Sequence, residues 1–222
     1  MDIENYNELL TETERKHSPK QLFLAGNNEL LYFKRRVSVV GSRKASKEGL
    51  IRAKIISKAL VKHDIIVVSG LAAGIDTMAH ITAIESGGHT IAVLGTPLSK
   101  AYPKQNSNLL EIIKKDHLAI SQFPEGYPSQ PKNFPIRNRT MALISDATII
   151  IEAGEKSGTR HQGWEALRLG REVYILENVA NDPNITWAKE MMDYGAQSLS
   201  RENIDLILED IPYLTSKLED AF

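Results

Sequence analysis

Short aliphatic runs alternate along this chain with stretches in which apolar residues recur every three or four positions. The runs at 37–40, 65–69, 90–94, 118–121, 147–151 and 172–176 are β-branched or aliphatic, and each is too short to make a helix, so they predict buried strands. Between and after them the helical period predicts helices over 47–62, 75–86, 107–115, 136–144, 159–169 and 186–194. Strand and helix in alternation, joined by right-handed crossovers, predict the α/β class: a doubly wound, mainly parallel sheet with helices on both faces. Residues 1–32 form a polar, partly helical lead-in, while 201–222 place Ile204, Ile207, Leu208 and Ile211 at helical spacing in an acidic helix and tail. Both read as appendages to a core at 33–200, each too short for a domain of ordinary size.

Composition narrows the class. A chain of 222 residues with 42% hydrophobic content buries enough surface for one sizeable core without metals or disulfides. The absence of cysteine excludes a disulfide framework, thiol chemistry and a thiolate metal site. The opening Met-Asp-Ile-Glu-Asn-Tyr lacks the basic-then-apolar layout of a secretory signal, and no apolar run approaches the roughly 18 residues of a membrane span. The expectation is a cytoplasmic protein without membrane contact. A net charge of −1 argues at first against a polyanionic partner, yet the charge is segregated. Residues 34–62 hold ten Lys and Arg against the single acid Glu48, whereas 201–222 hold six acids against two basic residues. On the first long helix Ile51, Ile55 and Ala59 line one stripe and Lys54, Lys58 and Lys62 another. The basic stripe reads either as a solvated face that tolerates mild repulsion or as one turned to phosphate or a partner.

In an open parallel sheet the ligand crevice lies at the carboxyl ends of the strands, so the loops there carry the candidate chemistry. Gly41-Ser42-Arg43-Lys44-Ala45-Ser46 supplies a close-approach glycine, a hydroxyl, a guanidinium and a helix start, which together make an anion site. Ser69-Gly70-Leu71-Ala72-Ala73-Gly74-Ile75-Asp76 is expected to bring backbone amides to the surface at the next helix start, where a second phosphate would sit. The Gly-x-Gly-x-x-Gly dinucleotide fingerprint and the Gly-x4-Gly-Lys-Ser/Thr phosphate loop are both absent, so no nucleotide cofactor is expected. The proline- and aromatic-rich segment 123–139 is long enough to be functional. Its Lys132 and Phe134 pair a cation with a stacking face, the combination that holds unpaired bases and their phosphates. Arg137, Asn138 and Arg139 add two forks and an amide, although Arg137 or Arg139 has an alternative use as partner to a structural carboxylate such as Asp76 or Glu152.

Five blocks carry a resemblance. They are Gly41-Ser42-Arg43, the run from Ser69 to His80, the run from Gly88 to Gly95, Tyr102-Pro103-Lys104-Gln105-Asn106, and Asn133-Phe134-Pro135-Ile136-Arg137-Asn138-Arg139. In this order they resemble the signature blocks of the DNA-processing protein A (DprA/Smf) family, and the likeness runs from about Leu22 to the final helix. The resemblance implies a Rossmann-like fold, self-association into a homodimer, and a positively charged pocket for single-stranded DNA without sequence preference. It also implies help in loading a RecA-type recombinase during natural transformation and DNA recombination. It implies neither catalysis nor a metal. Carried over by position, Arg43, Gly70, Gly74, Lys132, Phe134, Arg137 and Arg139 line or support the pocket, with Arg43 as the main phosphate fork.

The chain also departs from that family. Residues 157–166 read Ser-Gly-Thr-Arg-His-Gln-Gly-Trp-Glu-Ala in place of a Ser-Gly-Ser/Ala-Leu-Ile-Thr-Ala block, and Leu176-Glu177-Asn178 replaces Val-Pro-Gly. The short ends leave no room for the extra helical and winged-helix domains of many relatives, which points to a pared-down relative serving defence or regulation. An alternative from another class is a sensor of nucleotide derivatives, or a hydrolase that releases the base from nucleoside monophosphates. Gly158-Thr159 with Glu165 is similar to the Gly-Thr-x-x-Glu pattern of such hydrolases, but the glutamate is three positions too far along and Gln162 stands in its place. Asp76, His80 and Glu152 read as a proton-transfer cluster or, for Asp76 and His80 four residues apart, as a structural pair. His161 is either a ligand contact or a residue of an exposed helix start.

Overall fold

A computed structural model describes residues 10–32 and 34–213; the expectations for residues 1–9 and for the acidic tail over 214–222 lie outside the described residues. One sheet runs through the molecule in the order β1-β5-β4-β3-β2-β6-β7-β8. Its strands are β1 (Phe23–Gly26), β2 (Arg36–Gly41), β3 (Ile66–Ser69), β4 (Thr90–Leu94), β5 (Leu118–Ser121), β6 (Ala147–Glu152), β7 (Glu172–Leu176) and β8 (Gln197–Leu199). All neighbours are parallel except β1, which pairs antiparallel with β5. The helices are α1 (Glu12–His17), α2 (Lys47–Lys62), α3 (Ile75–Glu85), α4 (Ser107–Asp116), α5 (Asn133–Ile144), α6 (Thr159–Arg168), α7 (Glu177–Ala180), α8 (Thr186–Asp193) and α9 (Ile204–Asp210).

The strand pleat sorts the core into two layers. Val40, Val68, Val93, Ile120, Ile150 and Ile175 face one way, onto Met141 and Ile144 of α5, Ala166 of α6 and Met191 of α8. Their strand neighbours Val39, Val67, Ile149 and Tyr174 face the other way, onto Ala53, Ile56 and Leu60 of α2 and Ala79 and Ala83 of α3. Ala92, Leu94 and Ala119 continue that second layer against Leu110 and Ile113 of α4. Each fully buried Leu or Ile of this kind contributes about 1.5–3 kcal/mol.

The ends depart from the expected appendages. Leu10, Leu22, Leu30 and Leu31 belong to the first core layer. Glu14 on α1 closes a capping box with Thr11 and pairs with Arg171, both charges being buried. β1 escapes a pattern search because it is a half-exposed edge strand ending in Gly26. At Gly26 φ is +115°, and a Cβ would meet the His117 carbonyl. At the other end Arg35 donates from Nη1 to the carbonyls of Leu208 (2.9 Å) and Glu209 (3.0 Å), tying α9 to the sheet.

The topology fixes where a ligand can sit. From β2 the chain winds outward through β3, β4 and β5, then returns to the other side of β2 to lay down β6, β7 and β8. The crossovers diverge at the carboxyl ends of β2 and β6, leaving a crevice between them.

Candidate functional site

The β2–β6 register slips between Val40 and Gly41, so the chain leaves the sheet in an irregular turn. Ser42 N donates to the Glu152 carbonyl (2.7 Å), and Lys44 N to Ser42 Oγ (3.1 Å). Ser46 caps α2 by accepting from Gly49 N (2.9 Å), and its own N–H donates to Glu152 Oε1 (2.9 Å), with the Ser46 hydroxyl on Oε2. Glu152 is therefore occupied in pinning the turn. The side chains of Arg43 and Lys44 are left exposed.

Arg43 lies over aromatic rings. Its guanidinium carbon is 4.8 Å from the centroid of Phe134 and 5.9 Å from that of Tyr102, with no ion pair among the described residues. Phe134 is held by α5, which begins at Asn133, three residues earlier than the sequence predicts. Pro135 does not prevent this earlier start, because proline is tolerated in a first helical turn. Phe134 thus projects from a helix. A Cβ at Gly95 would stand 2.8 Å from the Phe134 ring, so that glycine makes the seat.

The second loop corrects the expectation of exposed amides. Gly70 N and Ala72 N donate to Asp76 Oδ2 (3.2 and 3.3 Å), and Ile75 N donates to the Ser42 carbonyl (3.2 Å). The protein's own carboxylate fills the place foreseen for a second phosphate. Gly74, at φ +80°, lets this loop press on the first, since a Cβ there would lie 2.3 Å from the Ser42 carbonyl oxygen. Ser69 is likewise structural, its hydroxyl donating to the Val39 carbonyl at 2.7 Å.

Arg137 is also an inward group rather than an open fork. It is 5% exposed and donates from Nη1 to the carbonyls of Gly70 (2.5 Å) and Val93 (2.8 Å), and from Nε to Asn138 Oδ1 (3.0 Å). Gly70 is needed for this, because a Cβ would lie 1.7 Å from Nη1. Burial pushes the Asp76 carboxyl up, against the opposing pull first of Arg137, then of the Ala72 and Gly70 amides and Arg43. Arg139 points elsewhere, to Glu165 on α6 (3.2 Å), which also receives Arg168 (3.0 Å). Lys132 is exposed at the start of α5, outside the ring of residues lining the crevice.

The expected Asp76–His80 pair does not form. His80 Nδ1 meets Thr90 Oγ1 at 2.7 Å, and burial lowers its pKa to about 3, so the imidazole is neutral. With Glu152 on Ser46, the three residues are separately engaged. Among the described residues no group of three or more acids and histidines is placed to hold a metal ion.

What remains is a crevice of about 590 Å³. One wall carries Gly41, Ser42, Arg43 and Lys44, and Phe134 and Asn138 sit on α5. The opposite wall is Lys156, Ser157, Thr159 and His161, from the loop after β6 and the start of α6. The sequence singled out 157–166 as altered but gave Lys156 no role, because which strand lies beside β2 is a matter of topology. Gln162 is fully buried, its Nε2 donating to Thr148 Oγ1 (3.4 Å).

Comparison with known proteins places the chain. The profile of a family described as DNA recombination-mediator protein A matches residues 1–212. The chain belongs to this family. DNA processing protein DprA of Streptococcus pneumoniae is 42% identical over 182 residues, covering 81% of this chain and 63% of that relative, so the chain spans less than two thirds of its length. The crystal structure of that DprA superimposes with a TM-score of 0.81 at 33% identity, over 94% of this chain and 73% of the other. DNA processing protein A of Helicobacter pylori, described for its single-stranded DNA binding mode, shares the fold at 24% identity and a TM-score of 0.78, over 92% of each chain. The Rossmann-like, mainly parallel sheet is therefore a property the chain has in common with its DprA relatives.

Proposed function

We propose that this member of the DprA family binds the sugar-phosphate backbone of single-stranded DNA at the β2–β6 crevice, without reading sequence and without catalysing a reaction. The observation that carries the proposal is Arg43: an exposed guanidinium, free of ion pairs among the described residues, propped over Phe134 at the crevice mouth. A charge-assisted fork beside an aromatic face suits a phosphate followed by an unpaired base. Lys44, Lys156 and His161 add donors around the same opening. The acids nearby, Asp76 and Glu152, are already bonded to amides and to Ser46, so neither carboxylate is free to act as the base, which favours binding over base-releasing hydrolysis. The relatives' names and the description of the Helicobacter pylori neighbour agree with this chemistry.

The same reading extends to DNA processing in uptake or recombination within the cytoplasm, with a homodimer as the working form and a RecA-type recombinase as partner. Among the described residues no helix is long and apolar enough to cross a membrane.

The test is a titration of labelled short oligonucleotides at two ionic strengths. Affinity should fall by roughly 0.7 log units per log unit of salt for each phosphate neutralised. Arg43→Ala should cost about 1.5–3 kcal/mol and lower the salt slope. Affinity indifferent to both removes the proposal, and free base released from nucleoside monophosphates would favour the hydrolase instead.

A further inference from the structure

Tyr102 stands beside the Arg43–Phe134 contact, on the loop after β4, and is 46% exposed. Its ring centroid is 5.1 Å from that of Phe134, with the planes tilted 44°, so the two rings form a bent shelf with the Arg43 guanidinium over both. The inner ring is firmly seated. Gly95 leaves room for it, and Asn133 Nδ2 ties the helix start to the carbonyls of Gly95 (3.2 Å) and Pro128 (3.1 Å). The outer ring is nearly half exposed to solvent.

The surroundings extend the path of a strand. Lys100 and Lys104 are exposed two residues to either side of Tyr102. Next to it, Pro103 lines a second groove of about 560 Å³ with Leu50, Ala73, Gly74, Thr77 and Asn106. Tyr102 thus touches Phe134, which lines the phosphate crevice, and precedes Pro103, which lines this more apolar groove.

We infer that Tyr102 is a base platform: a base of the bound strand stacks on its exposed ring while the adjoining phosphate meets Arg43. This rests on the single-strand reading and adds a cause for its preference. A base inside a duplex has both faces covered by its neighbours, whereas an unpaired base can swing out onto the ring. Because every base has a π-face, the platform is indifferent to sequence.

The experiment compares an oligothymidylate with an oligomer of the same length made only of abasic sugar-phosphate units, using wild type, Tyr102→Leu and Tyr102→Trp, with thermal melting to confirm folding. Wild type should prefer the base-bearing strand by about tenfold or more. Tyr102→Leu should lose most of that preference while keeping its affinity for the abasic strand, and Tyr102→Trp should restore it. If Tyr102→Leu discriminates as well as wild type, or loses affinity for both strands equally, the platform is overturned and the binding proposal stands. If wild type binds neither strand, both fall.

Discussion

Arg43 sits in the turn after β2 and Arg137 in the first half of α5, and both read from sequence as phosphate forks. Their surroundings give them opposite work. Arg137 is enclosed, spending Nη1 on two strand-end carbonyls, and burial lowers its pKa against the opposing pull of the nearby Asp76. Removing one partner of a buried charged set costs far more than removing a solvated cation. Arg137→Ala should therefore lower stability by about 3 kcal/mol or more in denaturant unfolding. Arg43→Ala should leave it within about 0.5 kcal/mol while weakening binding. An Arg137→Ala protein as stable as wild type would contradict this assignment. The glycines were legible in the same partial way: Gly70 and Gly74 are required, but to admit Arg137 and the Ser42 carbonyl rather than a ligand. Sequence shows that a side chain is small or charged; which neighbour it meets is decided by contacts far apart along the chain.

At the scale of elements, the central strands were legible because each is mostly aliphatic and buried along nearly its whole length, being covered on both faces. The edges were not. β1 is half exposed, and β8 is three residues with one buried. The lead-in looked detachable because its polar residues mask four buried leucines and a buried acid. Glu14→Ala would leave Arg171, which also donates to the Leu143 carbonyl, without its carboxylate inside the core. The expected loss is about 3–5 kcal/mol in urea unfolding, and an unchanged midpoint would mean that α1 is not docked in solution. The early start of α5 matters in the same way, since it turns Phe134 from a loop residue into one aimed by a helix.

For the molecule as a whole, the candidate site needs parts from separate strand ends: the turn after β2, the loop after β6, and α5 with its ring on Gly95 after β4. The charge segregation seen in the sequence is only partly used there, because Lys54, Lys58 and Lys62 lie on α2, outside the crevice lining. That helix also exposes Ile51 and Ile55, at 59% and 57%, beside a groove lined by Leu176, Leu199 and Ile204. An exposed apolar face of this kind is where the proposed homodimer is tested. Ile55→Lys should shift sedimentation from dimer to monomer without lowering the melting temperature, and a wild type that sediments as a monomer would remove the homodimer. Topology has one more consequence, during synthesis. β2 emerges early, yet one of its flanks stays open until β6 is made, because β3, β4 and β5 all add to the other side. The nascent chain therefore carries an unpaired, mostly apolar strand edge from the emergence of β2 until β6 is made, an edge open to wrong pairing in the meantime.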